Sequence, residues 1–294
     1  MKDSGRDAPL APGLYLVATP IGNLEDITLR ALRVLSQADL IACEDTRQTQ
    51  KLRNHFSIET PTVSYHQHNE SGRARELVER LKAGERIAVV SDAGTPGIAD
   101  PGAEIASLAI AAGVPVFPVP GANAALSALV ASGLNVESFS FRGFLPAKSG
   151  QRRTALEELR RQGMAAGTCV FYEAPHRIVE ALADVEAVFG PEQHVVVARE
   201  LTKLHEEFLR GPVRSVRETL AARESVRGEF VLLFAPVAVE EGPAESLGAE
   251  VARLMRELGL PEMDALKRAA KARGIGKSEA YRELQRERGS AKGR

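Results

Sequence analysis

Short apolar runs rich in Val, Ile and Leu recur along the chain at 14–19, 39–43, 86–91, 114–119, 138–144, 168–172, 194–198 and 230–235. Between most of them lie stretches in which apolar residues return every three to four positions, as at 28–37, 72–83, 103–112, 152–162 and 177–189. The short runs predict strands, and the 3.6-residue period predicts amphipathic helices. Strand alternating with helix makes this an α/β chain. The runs at 87–90 (IAVV) and 194–198 (HVVVA) are apolar on consecutive residues, which fits strands covered on both faces.

Punctuation along the chain predicts its domains. The segment at 115–133 places three prolines and a glycine before a helix of small residues, a junction suited to joining two α/β domains, 13–119 and 120–237. Residues 1–12 are polar and Pro-containing and read as a flexible tail. From 237 the pattern changes: VAVEEGPAESLG reads as a linker, and 249–258, 263–273 and 278–288 read as helices of a small C-terminal region, 238–294.

Composition narrows the class. With 294 residues the chain is long enough for two cores, and 44% hydrophobic with 26% charged residues is an ordinary globular mix. Cys43 and Cys169 are far apart in apolar runs, so neither a disulfide framework nor a metal cluster is expected, and the compartment is a reducing one. No apolar run reaches membrane-spanning length and no signal peptide is apparent, so the expected location is the cytoplasm. Net charge is −1, yet residues 264–294 carry ten Lys and Arg against four Asp and Glu, a local excess of about +6. An acidic partner is expected there, with a solvated helical tail as the alternative.

The informative segments follow the strands, where open α/β sheets bind ligands. They are Ala18-Thr19-Pro20-Ile21-Gly22-Asn23-Leu24, Cys43-Glu44-Asp45-Thr46-Arg47, the loop from Ser91 to Gly102, and Val119-Pro120-Gly121-Ala122-Asn123-Ala124. The third has two prolines and three glycines, so it builds a shaped loop whose backbone can approach a ligand closely. In the second, Asp45 or Thr46 is equally well placed to cap the next helix. Other chemistries lack their signatures. No Gly-x-Gly-x-x-Gly follows a strand, and Gly276-Lys277-Ser278 lacks the rest of a phosphate loop. His66 and His68 have no third metal ligand at a recognised spacing, and no Gly-x-Ser-x-Gly elbow is present.

Taken together and in order, the loops resemble the tetrapyrrole-methylase superfamily, and within it the ribosomal RNA small-subunit methyltransferase I branch. The resemblance rests on GLYLVATPIGNLEDITLRAL (13–32), DLIACEDTRQT (39–49), SYHQHNE (64–70), VSDAGTPGIADPG (90–102), VPGANAALSALVASGL (119–134), FRGFLPAK (141–148), FYEAPHR (171–177), VARELTK (197–203) and GEFVLL (228–233). It spans about residues 13–236. The first loop, Thr-Pro-Ile-Gly-Asn-Leu, is of the RNA-acting type rather than the Gly-x-Gly-x-Gly type of tetrapyrrole-acting members.

The resemblance implies two α/β domains with S-adenosyl-L-methionine in the cleft between them, a homodimer, and 2′-O-methylation of a cytidine in the decoding region of 16S ribosomal RNA, with the small subunit as partner. It implies that Pro20, Asp92, Ala93, Gly94, Ile98, Pro120, Ala122 and Asn123 border the donor from one side, and Tyr172, Ala198 and Glu229 from the other. In-line displacement from a sulfonium needs no metal; positioning supplies most of the rate and a general base adds to it. Glu44 and Asp45 are the first candidates for the base, and His68 the third. Arg47 is expected to hold a phosphate or buttress Glu44. His66, Asn69 and Glu70 are expected on the RNA side, with Glu173, His176 and Arg177 facing it from the second domain and Lys267, Lys271 and Lys277 from the tail. For each of these a structural ion pair or cap is an equally good reading. Two rivals remain at this level: C-methylation of a tetrapyrrole, and a non-enzymatic protein that senses the metabolite or docks on the ribosome.

Overall fold

The computed structural model describes residues 9–67, 69–236, 246–273 and 275–291. Two compact units divide at residue 238. The first contains two five-stranded sheets.

The first sheet is built from β1 (Gly13–Val17), β2 (Leu40–Cys43), β3 (Thr62–Ser64), β4 (Arg86–Val90) and β5 (Val116–Val119), in the order β3-β2-β4-β1-β5. All its pairings are parallel. Its helices are α1 (Leu29–Gln37), α2 (Thr46–Phe56), α3 (Glu70–Lys82) and α4 (Ala103–Ala111). Period-two alternation sorts the strand residues between two cores. Leu14, Leu40, Ala42, Ile87 and Val89 pack with Leu77, Ile105 and Ala109 of α3 and α4. Their neighbours Tyr15, Val17, Ile41, Cys43, Ala88 and Val90 pack with Ala31, Val34 and Leu35 of α1. Both faces are covered, so the strands read as unbroken apolar runs.

A short helix, α5 (Ala124–Ser132), leads to the second sheet. Its strands β6 (Phe139–Phe144), β7 (Thr168–Glu173), β8 (His194–Arg199), β9 (Glu207–Pro212) and β10 (Phe230–Phe234) run in the order β6-β7-β10-β8-β9. Only β6 and β7 pair in parallel; the other pairings are antiparallel. One face carries α6 (Ser149–Gln162), α7 (Ile178–Phe189) and α8 (Val213–Ala221). The other packs on α5 through Ala125, Ala128 and Leu129, and takes in Ile21 from the loop after β1. This second core therefore fastens the two sheets together. Under the helical face, Asp184 of α7 binds the Nε of Arg152 and of Arg153 at 2.6 Å each and accepts from Ser149. Arg152 is 1% exposed, so this pairing fixes α6 on α7 out of water.

Among the described residues of the second unit, α9 (Leu247–Leu258), α10 (Glu262–Ala272) and α11 (Lys277–Ala291) pack around Leu247, Val251, Leu266, Ala269, Ala280 and Leu284.

Several elements differ from the sequence expectation. Leu10 is buried against the first sheet and the Ala11 carbonyl accepts the Tyr15 hydroxyl, so the expected tail does not extend through residues 10 and 11; residues 1–8 lie outside the described residues. The strands β3 and β9 are sheet-edge strands of largely half-buried residues, without the unbroken apolar run of a central strand. Helix α2 (TRQTQKLRNHF) buries only Thr49, which leaves little apolar periodicity to read. Helix α9 starts at Leu247, inside the expected linker, because the Ser246 hydroxyl caps it by accepting from the Ala249 N–H.

Candidate active site

Four loops leave the carboxyl ends of β1, β2, β4 and β5, and hydrogen bonds lock them to one another. Thr19 and Gly94 exchange both backbone bonds, at 2.9 and 3.1 Å. The Thr19 hydroxyl donates to the Ser91 carbonyl. The Thr95 hydroxyl donates to the Ala122 carbonyl at 3.2 Å and accepts from the Asn123 amide at 3.3 Å, while Asn123 caps α5. Asp92 accepts the Asp45 backbone N–H at 2.9 Å. Two glycines permit this crowding. Gly94 has φ +86°, and a Cβ on it would stand 3.3 Å from Ile21; a Cβ on Gly121 would stand 3.0 Å from Ala18.

Between these loops and the second sheet lies a cavity of about 440 Å³. The first sheet contributes Ile21, Glu44 and segments 92–95 and 98–100. Ala124 and Leu201 border it, and the second sheet adds Phe144, segment 172–175 and segment 229–231. The walls are largely apolar, with Phe144 and Tyr172 in edge contact at 5.9 Å between ring centroids. Its polar groups are mostly carboxylates, a pattern of apolar walls with a few convergent charges that marks a ligand site.

Of those carboxylates, Glu44, Asp92 and Asp100 come from adjacent strand ends. Burial pushes the Glu44 carboxyl up, and the nearby Asp92 charge adds to the shift while His66 opposes it. Burial raises Asp100 to about 6, reinforced by the charges of Glu44 and Asp92 and opposed by a hydrogen bond with Ser91. Among the described residues neither Glu44 nor Asp100 is salt-bridged to a Lys or Arg. Burial and the Asp92 charge thus strengthen Glu44 as a proton acceptor, and the Glu44 charge in turn raises Asp100, the proton affinity that general acid–base work requires. On the opposite wall burial pushes Glu173 up, and Glu229 pairs with Lys203 at 3.1 Å.

The sequence candidates divide clearly. Glu44, Asp92, Ala93, Gly94, Ile98, Tyr172, Glu173 and Glu229 line the cavity. Pro20 does not; it is buried at the bend, and its neighbour Ile21 faces the cavity instead. Ala122 and Asn123 sit one layer out, holding Thr95, and Pro120 is exposed and does not line the cavity. Ala198 is wholly buried in β8 opposite Val231, behind the wall. Asp45 turns back on its own helix: it caps α2 and forms a fork with Arg47, at 3.0 Å to Nε and 2.7 Å to the terminal nitrogen, which holds its carboxyl at about 2. A carboxylate so acidic and so occupied is a poor proton acceptor, and Arg47 buttresses Asp45, not Glu44.

The expected RNA-side residues also have structural partners. Asn69 binds the His66 N–H and the Ser64 carbonyl, and Glu70 accepts from the Tyr65 hydroxyl at 2.9 Å and the Gly102 N–H at 3.2 Å. Both hold loops behind the cavity. Arg177 pairs with Glu173 and donates to the Leu145 carbonyl, and His176 is exposed. Lys267 pairs with Asp264 at 2.9 Å, while Lys271 and Lys277 are exposed. His68 lies outside the described residues. Sequence reasoning missed Asp100, Phe144 and Leu201. Asp100 opens an Asp-Pro-Gly turn, whose sharp reversal was the available sign that its side chain is aimed by design. Among the described residues no group of three or more His, Cys, Asp and Glu is arranged to hold a metal, and no helix is long and apolar enough to cross a membrane.

Residues 13–217 match the model of the Tetrapyrrole (Corrin/Porphyrin) Methylases. Proteins named ribosomal RNA small subunit methyltransferase I are similar over nearly the whole chain. The one from Halalkalibacterium halodurans is 47% identical over 273 residues, covering 91% of this chain and 93% of the relative. The one from Pseudomonas aeruginosa is 45% identical over 280 residues, covering 93% and 97%. Among solved structures, the uroporphyrin-III-C-methyltransferase from Thermus thermophilus superposes with a TM-score of 0.54 at 21% identity, over 76% of this chain and 94% of that one. Diphthine synthase superposes with 0.58 at 15% identity, over 76% and 89%; at these identities the likeness is one of fold. By its matched segment and by its relatives, the chain belongs to the tetrapyrrole methylase family and, within it, to the group of the ribosomal RNA small subunit methyltransferases I.

Proposed function

We propose that this enzyme uses S-adenosyl-L-methionine to methylate the ribose 2′-oxygen of a cytidine in the decoding region of 16S ribosomal RNA, acting on the small subunit. The observation that carries the reading is the acidic cavity between the two sheets, in a chain whose relatives of nearly equal length bear the name of a ribosomal RNA methyltransferase.

The cavity suits the donor. Apolar surface from Ile21, Leu201 and Val231 fits a flat ring system, and the carboxylates Asp92, Asp100 and Glu44 fit positive charge. The glycine at 94 keeps a side chain out of the space beside Ile21. When bound, the donor supplies a methyl group on positively charged sulfur, which leaves as a neutral thioether. The protein's share is then to hold the hydroxyl in line and take its proton. Positioning is worth roughly 7–11 kcal/mol and a base about 10²–10⁴-fold. Glu44 is the base in this reading, its carboxyl raised by burial and by the neighbouring Asp92 charge. Asp45 serves the helix instead.

The working unit is a homodimer in this reading, supported by α5, which presents Leu126 and Val130 at 50% and 76% exposure one turn apart. Two neighbouring apolar side chains on one helix face offer a surface that a second copy could cover. The place of action is the cytoplasm, where small subunits are found.

The test is transfer of labelled methyl to purified small subunits, with free 16S RNA and uroporphyrinogen III as parallel acceptors. Label on a ribose 2′-oxygen of a cytidine is the expected result. Label on the tetrapyrrole alone would overturn the RNA assignment, and transfer to none of them would favour a metabolite-sensing or docking role.

A further inference from the structure

Helix α11 sorts its polar residues by sign. Ala280 and Leu284 face the core of the C-terminal unit. The carboxylates lie beside that contact. Glu283 is 3.9 Å from the Arg273 guanidinium, and Glu287 accepts the backbone N–H groups of Leu247 and Gly248 at 3.0 and 2.7 Å. Glu279, one turn before Glu283, shares its side of the helix. The opposite face is different. Lys277, Tyr281 and Gln285 follow one another at four-residue intervals, and Ser278 and Arg282 form the next row beside them, all of them exposed. Those two rows hold two cations, two neutral hydrogen-bonding groups, an aromatic ring and no carboxylate, and the exposed Glu279 borders them beside Arg282. Tyr281 is 47% exposed, although a phenol ring on a surface helix gains by burial. The Arg282 Nε donates to the Ser278 carbonyl at 3.2 Å, which lays the side chain back along the helix towards Ser278.

A solvated helix face would intersperse both signs. Segregation of cations around a bare aromatic is what an unpaired nucleotide requires: phosphates beside the cations and a base on the ring. We propose that this α11 face is an RNA-docking surface, with Tyr281 stacking on an unpaired base and Lys277 and Arg282 on the flanking phosphates. The proposal rests on the reading of the substrate as ribosomal RNA. It separates the three lysines named from the sequence, since Lys267 is paired within α10 and Lys277 stands on the docking face.

The experiment uses the full chain, with binding to small subunits and to free 16S RNA measured across about 50–200 mM salt, and methyl transfer measured in parallel. Tyr281→Ala is expected to weaken binding about 5- to 150-fold with the salt slope unchanged. Lys277→Gln with Arg282→Gln is expected to weaken binding and flatten the slope of log affinity against log salt by about 1.4–1.8. In both variants KM for the subunit rises while kcat and donor affinity stay near wild type. Glu279→Gln, at the border of those rows, serves as the fold-matched control. Wild-type affinity and slope in both variants would overturn the proposal while leaving methyl transfer by the parent protein intact. Failure of the parent to methylate either RNA would instead overturn the functional reading, with the binding data still deciding the role of α11. Loss of binding to anionic lipid vesicles with RNA binding intact would assign the face to a membrane surface and also overturn it.

Discussion

The Asp92 carboxylate accepts the backbone N–H of Asp45 at 2.9 Å, so the loop after β4 holds the loop after β2 through its main chain. The Asp45 side chain takes no part in that bond and is occupied by Arg47 and the first turn of α2. Asp92→Ala is therefore expected to release the loop that carries Glu44 and to lower both donor affinity and turnover by at least tenfold. Asp45→Ala should remove only a helix cap, lowering Tm by about 2–4 °C with kcat within a few-fold of wild type. Calorimetric donor titration and single-turnover transfer on the two variants check this. Equal loss of turnover in both would remove the distinction.

Glu44→Gln keeps the shape of the site and removes the carboxylate proposed as its proton acceptor. The expected loss in kcat is about 10²–10⁴-fold, with donor affinity within a few-fold of the parent. Turnover at wild-type rate with the donor bound would exclude Glu44 as the base.

Asp100 makes the pH dependence informative. The folded protein holds the Asp100 proton more tightly than the unfolded chain, with a pKa of about 6 against an ordinary 3.8. Its contribution to stability is therefore complete below about pH 4 and is lost as pH rises through about 6. Asp100→Asn should raise Tm at about pH 8, and the gain should vanish near pH 4. The charge of Glu44 adds to the Asp100 shift, so in the Glu44→Gln variant the limb of the Tm–pH profile that reports Asp100 should move to lower pH. A limb that moves the other way would contradict the coupling.

The buried Arg152–Asp184 pair predicts an asymmetry in stability. Arg152→Met takes the buried partner from a carboxylate that is almost wholly out of water and leaves it Arg153 and Ser149, so the expected cost stays below the roughly 3–5 kcal/mol of a fully stranded charge. Burial tends to raise Asp184, but its bonds to Arg153, Arg152 and Ser149 outweigh burial and lower it. This part of the stability is accordingly lost as pH falls through the acid range. Adding Asp184→Leu to Arg152→Met should recover much of the loss, which urea unfolding at neutral pH would reveal.

Fold class was legible because both periods are local. Apolar runs such as 87–90 and 194–198 and the 3.6-residue repeats between them set the element types before any contact is made. The edge strands β3 and β9 and the polar helix α2 were not, since an element that buries little carries little hydrophobic pattern. The site was legible as loops, and only in part as residues. Gly94 and the Pro-Gly-rich stretch around it announce a shaped loop, yet nothing local tells Pro20 from Ile21 as the residue that faces the cavity.

What the sequence by itself determined, then, is the alternation of strand and helix, the positions of the ligand-binding loops and the basic C-terminal helices. Each follows from residue type and spacing over a few turns of chain. The strand orders β3-β2-β4-β1-β5 and β6-β7-β10-β8-β9, the cavity between the sheets and the choice among its carboxylates were decided by tertiary structure. Glu44 and Asp45 are chain neighbours of one chemical type. One lies half-buried at the cavity with Asp92 and Asp100 beside it and the other is held by Arg47, and their proton affinities part because the surroundings of a charge, which only folding assembles, set its free energy.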